Sequence, residues 1–142
     1  MNKPKVIFVE WDGATWDIIH DLLKKNRLPR LRKIMEGGVA GAYNSELPLL
    51  SPRIWTSIFT GKRPNAHGVE FFGATSRDVR CERIWDIADA EGLRVGVMGS
   101  LISWPPRQVN GFIVPSVFAL GPECYPPELE FLQELILNER KQ

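Results

Sequence analysis

Three stretches of this chain carry residue types at a spacing that could do chemistry. The first is Leu50-Ser51-Pro52-Arg53-Ile54-Trp55-Thr56-Ser57-Ile58-Phe59-Thr60-Gly61, which delivers a hydroxyl to the first turn of a short helix. Ser51 suits the N-cap, where its oxygen accepts a hydrogen bond from an amide one turn on. Pro52 suits the first helical position, because its φ is already helical and its missing N–H has no acceptor there. The amides and positive end of such a helix favour an anion, so a phosphate oxygen could be held beside Ser51. The plainer alternative is that Ser51 only caps. The second stretch is Glu10-Trp11-Asp12-Gly13, a carboxylate at the end of the apolar run Val6-Ile7-Phe8-Val9, with a loop or capping role as its alternative. The third is Gly61-Lys62-Arg63-Pro64-Asn65-Ala66-His67-Gly68. Lys62 and Arg63 have the reach for a phosphate, although basic residues after a helix are commonplace. His67 has no second His or acid at ligand spacing, so a structural hydrogen bond is expected of it before a metal. His20 is expected on the polar edge of a helix and is assigned no role.

The elements that must position these groups follow from apolar spacing. Val6-Ile7-Phe8-Val9 has the pattern of a strand covered on both faces of a parallel sheet. It would place Asp12 at the carboxyl edge, where open α/β sheets bind ligands. A helix is expected over 15–25, with Trp16, Ile19, Leu22 and Leu23 on one side. A second starts at Pro29, with Leu31, Ile34 and Met35 as its stripe, and stops at Gly37-Gly38. Residues 39–46 read as a weak strand. Beyond the Ser51 helix, which Gly61 ends, a helix is expected over 82–91 with Ile84, Trp85, Ile87 and Ala88 buried. Leu93-Arg94-Val95-Gly96-Val97-Met98 is a strand candidate, and Phe112-Ile113-Val114 returns to the sheet after a rigid loop over 103–111. Pro126-Pro127 opens a last helix with Leu129, Leu132, Leu135 and Ile136 as its stripe. The order is α/β throughout.

Composition narrows the function classes. A chain of 142 residues with 44% hydrophobic and 25% charged residues has globular values and can bury a core. A formal net charge of +1 argues against a strong electrostatic claim on nucleic acid or acidic membranes. The basic residues of 24–27 and 30–33 therefore read as solvated helix faces. Cys81 and Cys124 make neither a metal spacing nor a disulfide framework, and read as free thiols in a reducing compartment. The amino-terminal apolar run is too short for a secretory signal or a membrane span, so a cytoplasmic location is expected.

Taken together, the stretches VIFVEWDGATW (6–16), LPRLRKIMEGG (28–38) and LPLLSPRIWTSIFTGKRPNAHG (47–68) resemble the alkaline phosphatase superfamily. The branch is that of the type I phosphodiesterase/nucleotide pyrophosphatase-like proteins. Residues 84–88, 104–111 and 125–129 carry the likeness nearly to the end of the chain. The resemblance implies an alkaline-phosphatase-like three-layer sandwich with a mostly parallel sheet, of which residues 1–142 would be the amino-terminal part of a single catalytic domain. It implies a metal-dependent hydrolase of phosphate esters. By the family's pattern, Asp12 is a metal ligand. Ser51, ten residues before the Gly of Thr60-Gly61, is the nucleophile and a second metal contact. Two zinc ions are implied first, with manganese or magnesium as alternatives. The substrate implied is a phosphate-ester small molecule or a lipid-like ester.

Two departures from the family pattern matter. Nucleotide pyrophosphatase relatives place an Asn shortly after the His-Gly pair, but here the chain reads Val69-Glu70-Phe71-Phe72-Gly73, so no such phosphate contact is carried over. Further Asp and His ligands are expected in the family, yet His67 is the only histidine after Ser51. The chain alone is therefore expected to turn over weakly or not at all. One rival expectation is a non-catalytic fragment or interaction module that self-associates or pairs with a complementing chain through an open sheet edge. Another is a small anion- or nucleotide-binding module, which lacks the Gly-rich fingerprints of such folds.

Overall fold

The computed structural model describes residues 5–139 and divides into two compact units, the first ending at Tyr43 and the second beginning at Asn44. Each is built by its own local logic.

In the first unit, Thr15 has the extended backbone of an N-cap and α1 runs Trp16–Lys24. Leu23 is buried, and Trp16, Ile19 and Leu22 are half-buried, as the helical spacing requires. Asn26 adopts the left-handed conformation (φ 54°) that ends the helix, and the Arg27 amide turns back to the Leu22 carbonyl at 2.8 Å. Pro29 then opens α2, Pro29–Gly37. The Arg32 guanidinium donates to the Leu23 carbonyl, so the second helix is tied to the end of the first. Of the stripe expected on α2, Leu31 and Met35 are half-buried but Ile34 is 70% exposed.

Two expected strands do not form. Among the described residues the run Val6-Ile7-Phe8-Val9 joins no ladder, and these residues are 55–86% exposed. Residues 39–46 are likewise irregular. The physical reason is that a parallel strand is stable only with covered faces, and these faces are exposed. Among the described residues the sheet has two strands, both in the second unit.

The second unit is α/β. Helix α3 spans Ser51–Thr60 and ends at Gly61, whose φ of +63° is the left-handed cap. The one-turn helix α4, Pro64–His67, ends the same way at Gly68 (φ +82°). Helix α5 is Ile84–Ala90, followed by strands β1 (Val95–Ser100) and β2 (Gly111–Pro115), and helix α6 is Glu130–Glu139. The strands pair in parallel with Val97 opposite Ile113. Their connection, residues 101–110, is too short for the usual crossover helix. It turns through Ile102 at φ +57°. Ile113 also exchanges two backbone bonds with Tyr125, at 2.7 and 2.9 Å.

Phe59, Trp85, Val97, Val109 and Ile113 form the core, with Trp55, Ile58, Val95 and Tyr125 packed against it. The Phe59 and Trp85 rings meet at 4.8 Å, so α3 and α5 share one aromatic contact over the sheet. The stripes expected on the last two helices are only partly buried. Trp85 is buried, but Ile84 and Ile87 are about half exposed, and Leu135 is 60% exposed. Gln133, a polar residue, is the fully buried one on α6, and its Nε2 donates to the Ser116 carbonyl at 3.0 Å.

Candidate functional site

Asp12 and Gly13 form an exposed turn, with Gly13 at φ +69°, three residues before α1. Asp12 is among the residues lining a cavity of about 190 Å³ within the first unit, whose other walls include Trp11, Ile18, Ile19, Leu22 and Leu28. The lining is mostly apolar, with Asp12 and Thr15 as its carboxylate and hydroxyl members. The expected strand before it is missing, so Asp12 is held by the turn and not by a sheet edge.

Ser51 lies in the second unit and is half-buried at the start of α3. Its expected capping role is not realised. Leu50 takes the extended N-cap conformation (φ −118°, ψ 120°), Ser51 is the first helical residue, Pro52 the second, and no side chain caps the helix. A cap needs extended backbone at the capping residue so that its side chain curls onto the following amides. Ser51 has helical backbone instead, and its hydroxyl is not spent on a cap. The structure thus fixes each candidate within its own unit, Asp12 in the first and Ser51 in the second.

Around α3 the chain builds a polar lattice. Thr56, Ser57 and Thr60 each donate back to the carbonyl four residues earlier, at 2.7, 3.1 and 2.7 Å. Arg53, in the first turn beside Ser51, has a side chain only 16% exposed and Nε buried without a partner. Its guanidinium stands 4.0 Å from Glu46, before the helix, and 3.6 Å from Glu70, after α4. Arg63 lies 3.6 Å from the same Glu46 but is 86% exposed, and Lys62 is exposed as well. The Glu46–Arg53–Glu70 arrangement was not legible in sequence, because its members are seven and seventeen positions apart with no periodic signal.

His67 has no exposed surface. Its Nδ1 accepts from the Val69 amide at 3.1 Å, and its Nε2 is 3.0 Å from Ser57 Oγ. Burial, followed by the positive charge of Arg53, holds its pKa below the usual 6.5, against the opposing pull of Glu46 and Glu70. It is a hydrogen-bonded residue of the scaffold, the role its sequence context implied. Among the described residues no three His, Cys, Asp or Glu side chains group to hold a metal ion.

An α/β chain with a serine at the head of a helix, followed by a Gly-stopped His67 turn, is the arrangement to set beside known families. Residues 6–141 match the type I phosphodiesterase/nucleotide pyrophosphatase family, and the chain belongs to it. That family is one of hydrolases of the phosphodiesterase and pyrophosphatase type, so phosphate esters are its substrate class, and the α/β architecture agrees with the alkaline-phosphatase-like fold. No curated protein and no solved structure gives a significant match. No helix among the described residues is long and apolar enough to cross a membrane.

Proposed function

We propose that this chain supplies the nucleophile and one metal ligand of a metal-dependent phosphate-ester hydrolase. Ser51 is the nucleophile and Asp12 the ligand, with Ser51 Oγ as a second metal contact. The observation that carries the reading is the placement of Ser51. Its hydroxyl sits at the first position of a ten-residue helix and is not used as a cap. The first-turn amides and the helix dipole there favour the charge of a bound phosphoryl group.

The donor chemistry suits a divalent ion, since a carboxylate and a hydroxyl are both oxygen ligands. The number does not, because zinc takes about four ligands and magnesium about six. Among the described residues no group of His, Cys, Asp or Glu side chains gathers to supply the remaining ligands. When bound, two divalent ions, zinc first and manganese or magnesium as alternatives, would ease ionisation of the hydroxyl and offset phosphate charge. The chain's own part is the covalent step. Ser51 Oγ attacks phosphorus in line and loses its proton to solvent, and the ester P–O bond breaks as the alcohol departs with the electron pair. Water then cleaves the new Oγ–P bond. The ester is a small molecule or a lipid-like one.

The test is hydrolysis of bis(p-nitrophenyl) phosphate and p-nitrophenyl phosphate with and without added zinc or manganese, in the natural protein and its Ser51→Ala and Asp12→Ala variants. Both variants are expected to lose the metal-stimulated rate. Unchanged hydrolysis in Ser51→Ala would sink the reading.

A second reading has its own observation. Val6-Ile7-Phe8-Val9 presents four large apolar side chains at 55–86% exposure, which is the surface of an interaction module that pairs with another chain. Sedimentation of the isolated chain separates the two. A concentration-independent monomer counts against the interaction module, and a complex that hydrolyses neither ester counts against the enzyme.

A further inference from the structure

The hydrogen bonds of His67 assign its tautomer. Nδ1 accepts from the Val69 amide, so in the neutral ring the proton sits on Nε2 and is donated to Ser57 Oγ. Ser57 Oγ in turn donates to the Arg53 carbonyl, in the first turn of α3. A chain of three hydrogen bonds therefore runs from the turn after α4, through the imidazole, into the helix that begins with Ser51. The imidazole and the Val69 end are closed to water, since His67 and Val69 have no exposed surface, whereas Ser57 and Arg53 at the helix end are half-buried.

We propose that His67 is an acid-sensitive latch, which ties the Gly68-Val69-Glu70 turn to helix α3 while neutral and lets that turn go when protonated. The imidazolium carries protons on both nitrogens, so Nδ1–H would face Val69 N–H, donor against donor, and that bond is lost. The bond from Nε2 to Ser57 survives, so the helix keeps its partner and the turn is the part released.

The charged groups around the ring come from every neighbouring segment. Arg53 on α3 opposes a second positive charge, whereas Glu46 before α3 and Glu70 after the turn favour it. Arg63 draws on the same Glu46. On the far side, Arg80 donates its amide to the His67 carbonyl at 3.0 Å, and the Cys81 thiol lies 3.5 Å from the Ala66 carbonyl. Burial and Arg53 outweigh the two glutamates, which keeps the latch closed at neutral pH. Release would carry Glu70 away from Arg53, the residue two positions after Ser51. The latch stands on these contacts whether or not Ser51 is a nucleophile.

The experiment is amide hydrogen exchange and ring ¹⁵N spectroscopy on the ¹⁵N-labelled chain between about pH 8 and about pH 5. At the upper end the ring proton is expected on Nε2. Between the ordinary imidazole value of 6.5 and the lowered His67 transition, Val69 protection, corrected for intrinsic exchange, is expected to fall about tenfold per pH unit and then to level off, while the Ile113 and Tyr125 amides keep theirs. Ser57→Ala retains the Val69 contact and must retain the pH dependence. His67→Gln, which offers an acceptor and a donor but does not titrate, must flatten it. A proton on Nδ1, Val69 protection that ignores the His67 titration, loss of all three protections together, or loss of pH dependence in Ser57→Ala would each overturn the latch. If His67→Gln fails to fold, the titrations of the natural chain and of Ser57→Ala still decide.

Discussion

Asp86→Ala removes one carboxylate and with it the acceptor for three donors of Arg83 and one of Arg107. The bonds are Arg83 N at 2.9 Å, Arg83 Nε at 2.7 Å, Arg83 Nη2 at 3.3 Å and Arg107 Nε at 2.7 Å. The Arg83 and Asp86 side chains are only 9% and 12% exposed, so this pair is largely out of water. After the substitution Arg83 keeps the Ile102 carbonyl at 3.0 Å and the face of Trp85, whose centroid lies 5.0 Å away, but no buried counter-charge. Stranding one partner of a buried pair costs about 3–5 kcal/mol, much of it the cost of the unpaired charge itself. The exposed pair Asp21–Lys25, with side chains 56% and 64% exposed, is the control, and Asp21→Ala should cost under about 0.5 kcal/mol. The assay is urea unfolding followed by tryptophan fluorescence, since Trp85 sits in the core. The same carboxylate gives a pH signature. Desolvation pushes the Asp86 pKa up, but the Arg83 side chain and amide and the charges of Arg83 and Arg107 outweigh it, so the group titrates below the usual 3.8. Its stabilisation is therefore complete above the unfolded value and is lost as pH falls through the folded one. An Asp86→Ala cost within about 0.5 kcal/mol of Asp21→Ala would refute the claim that this network holds α5 to the sheet connection.

Three further outcomes are expected. Phe59→Ala, at the centre of the α3–α5 contact, should cost about 3–5 kcal/mol in the same unfolding assay. A cost below about 1 kcal/mol would mean that the aromatic core collapses to fill the space. Gly68→Ala should lower the melting temperature, because φ is +82° and a Cβ would stand 3.0 Å from the Asp78 carbonyl oxygen. The left-handed backbone alone costs about 1–2 kcal/mol, and the contact adds to it. Gly61→Ala, at φ +63° in open space, should cost no more than that backbone share, so an equal loss at both sites would deny the Asp78 contact.

Much of the second unit was legible in sequence because its signals are local. Gly61 after an apolar helical run is the left-handed stop it reads as, and the Val95–Ser100 and Gly111–Pro115 strands carry the β-rich runs that announce them. What pattern did not give is partner-dependent. Val6-Ile7-Phe8-Val9 has a strand's composition but joins no ladder among the described residues, since composition alone does not specify a strand. Ile84, Ile87 and Leu135 sit at helical spacing yet remain exposed, because spacing defines a face and not what covers it. The sequence pattern puts Ser51 one position too early in the helix. A Ser-Pro pair fits both the N-cap–N1 and the N1–N2 registers, and the backbone of Leu50 decides between them. Arg53 with Glu46 and Glu70, and Gln133 under Ser116, are tertiary arrangements with no one-dimensional trace. The family pattern counts to Ser51 from Gly61 and not from a helix boundary, so the register change does not alter which residue it names.

The most direct measurement of the central claim is covalent trapping on Ser51. The natural protein, mixed with phosphate ester and divalent metal and quenched in acid, is digested and its peptides are analysed by mass spectrometry. The account predicts a phosphoryl group on Ser51 and on no other hydroxyl of the 51–60 helix, and its disappearance in Ser51→Ala together with about a thousandfold or greater loss of rate. A phosphoryl group on Ser57, Thr56 or Thr60, or undiminished turnover in Ser51→Ala with no label on the protein, would contradict it.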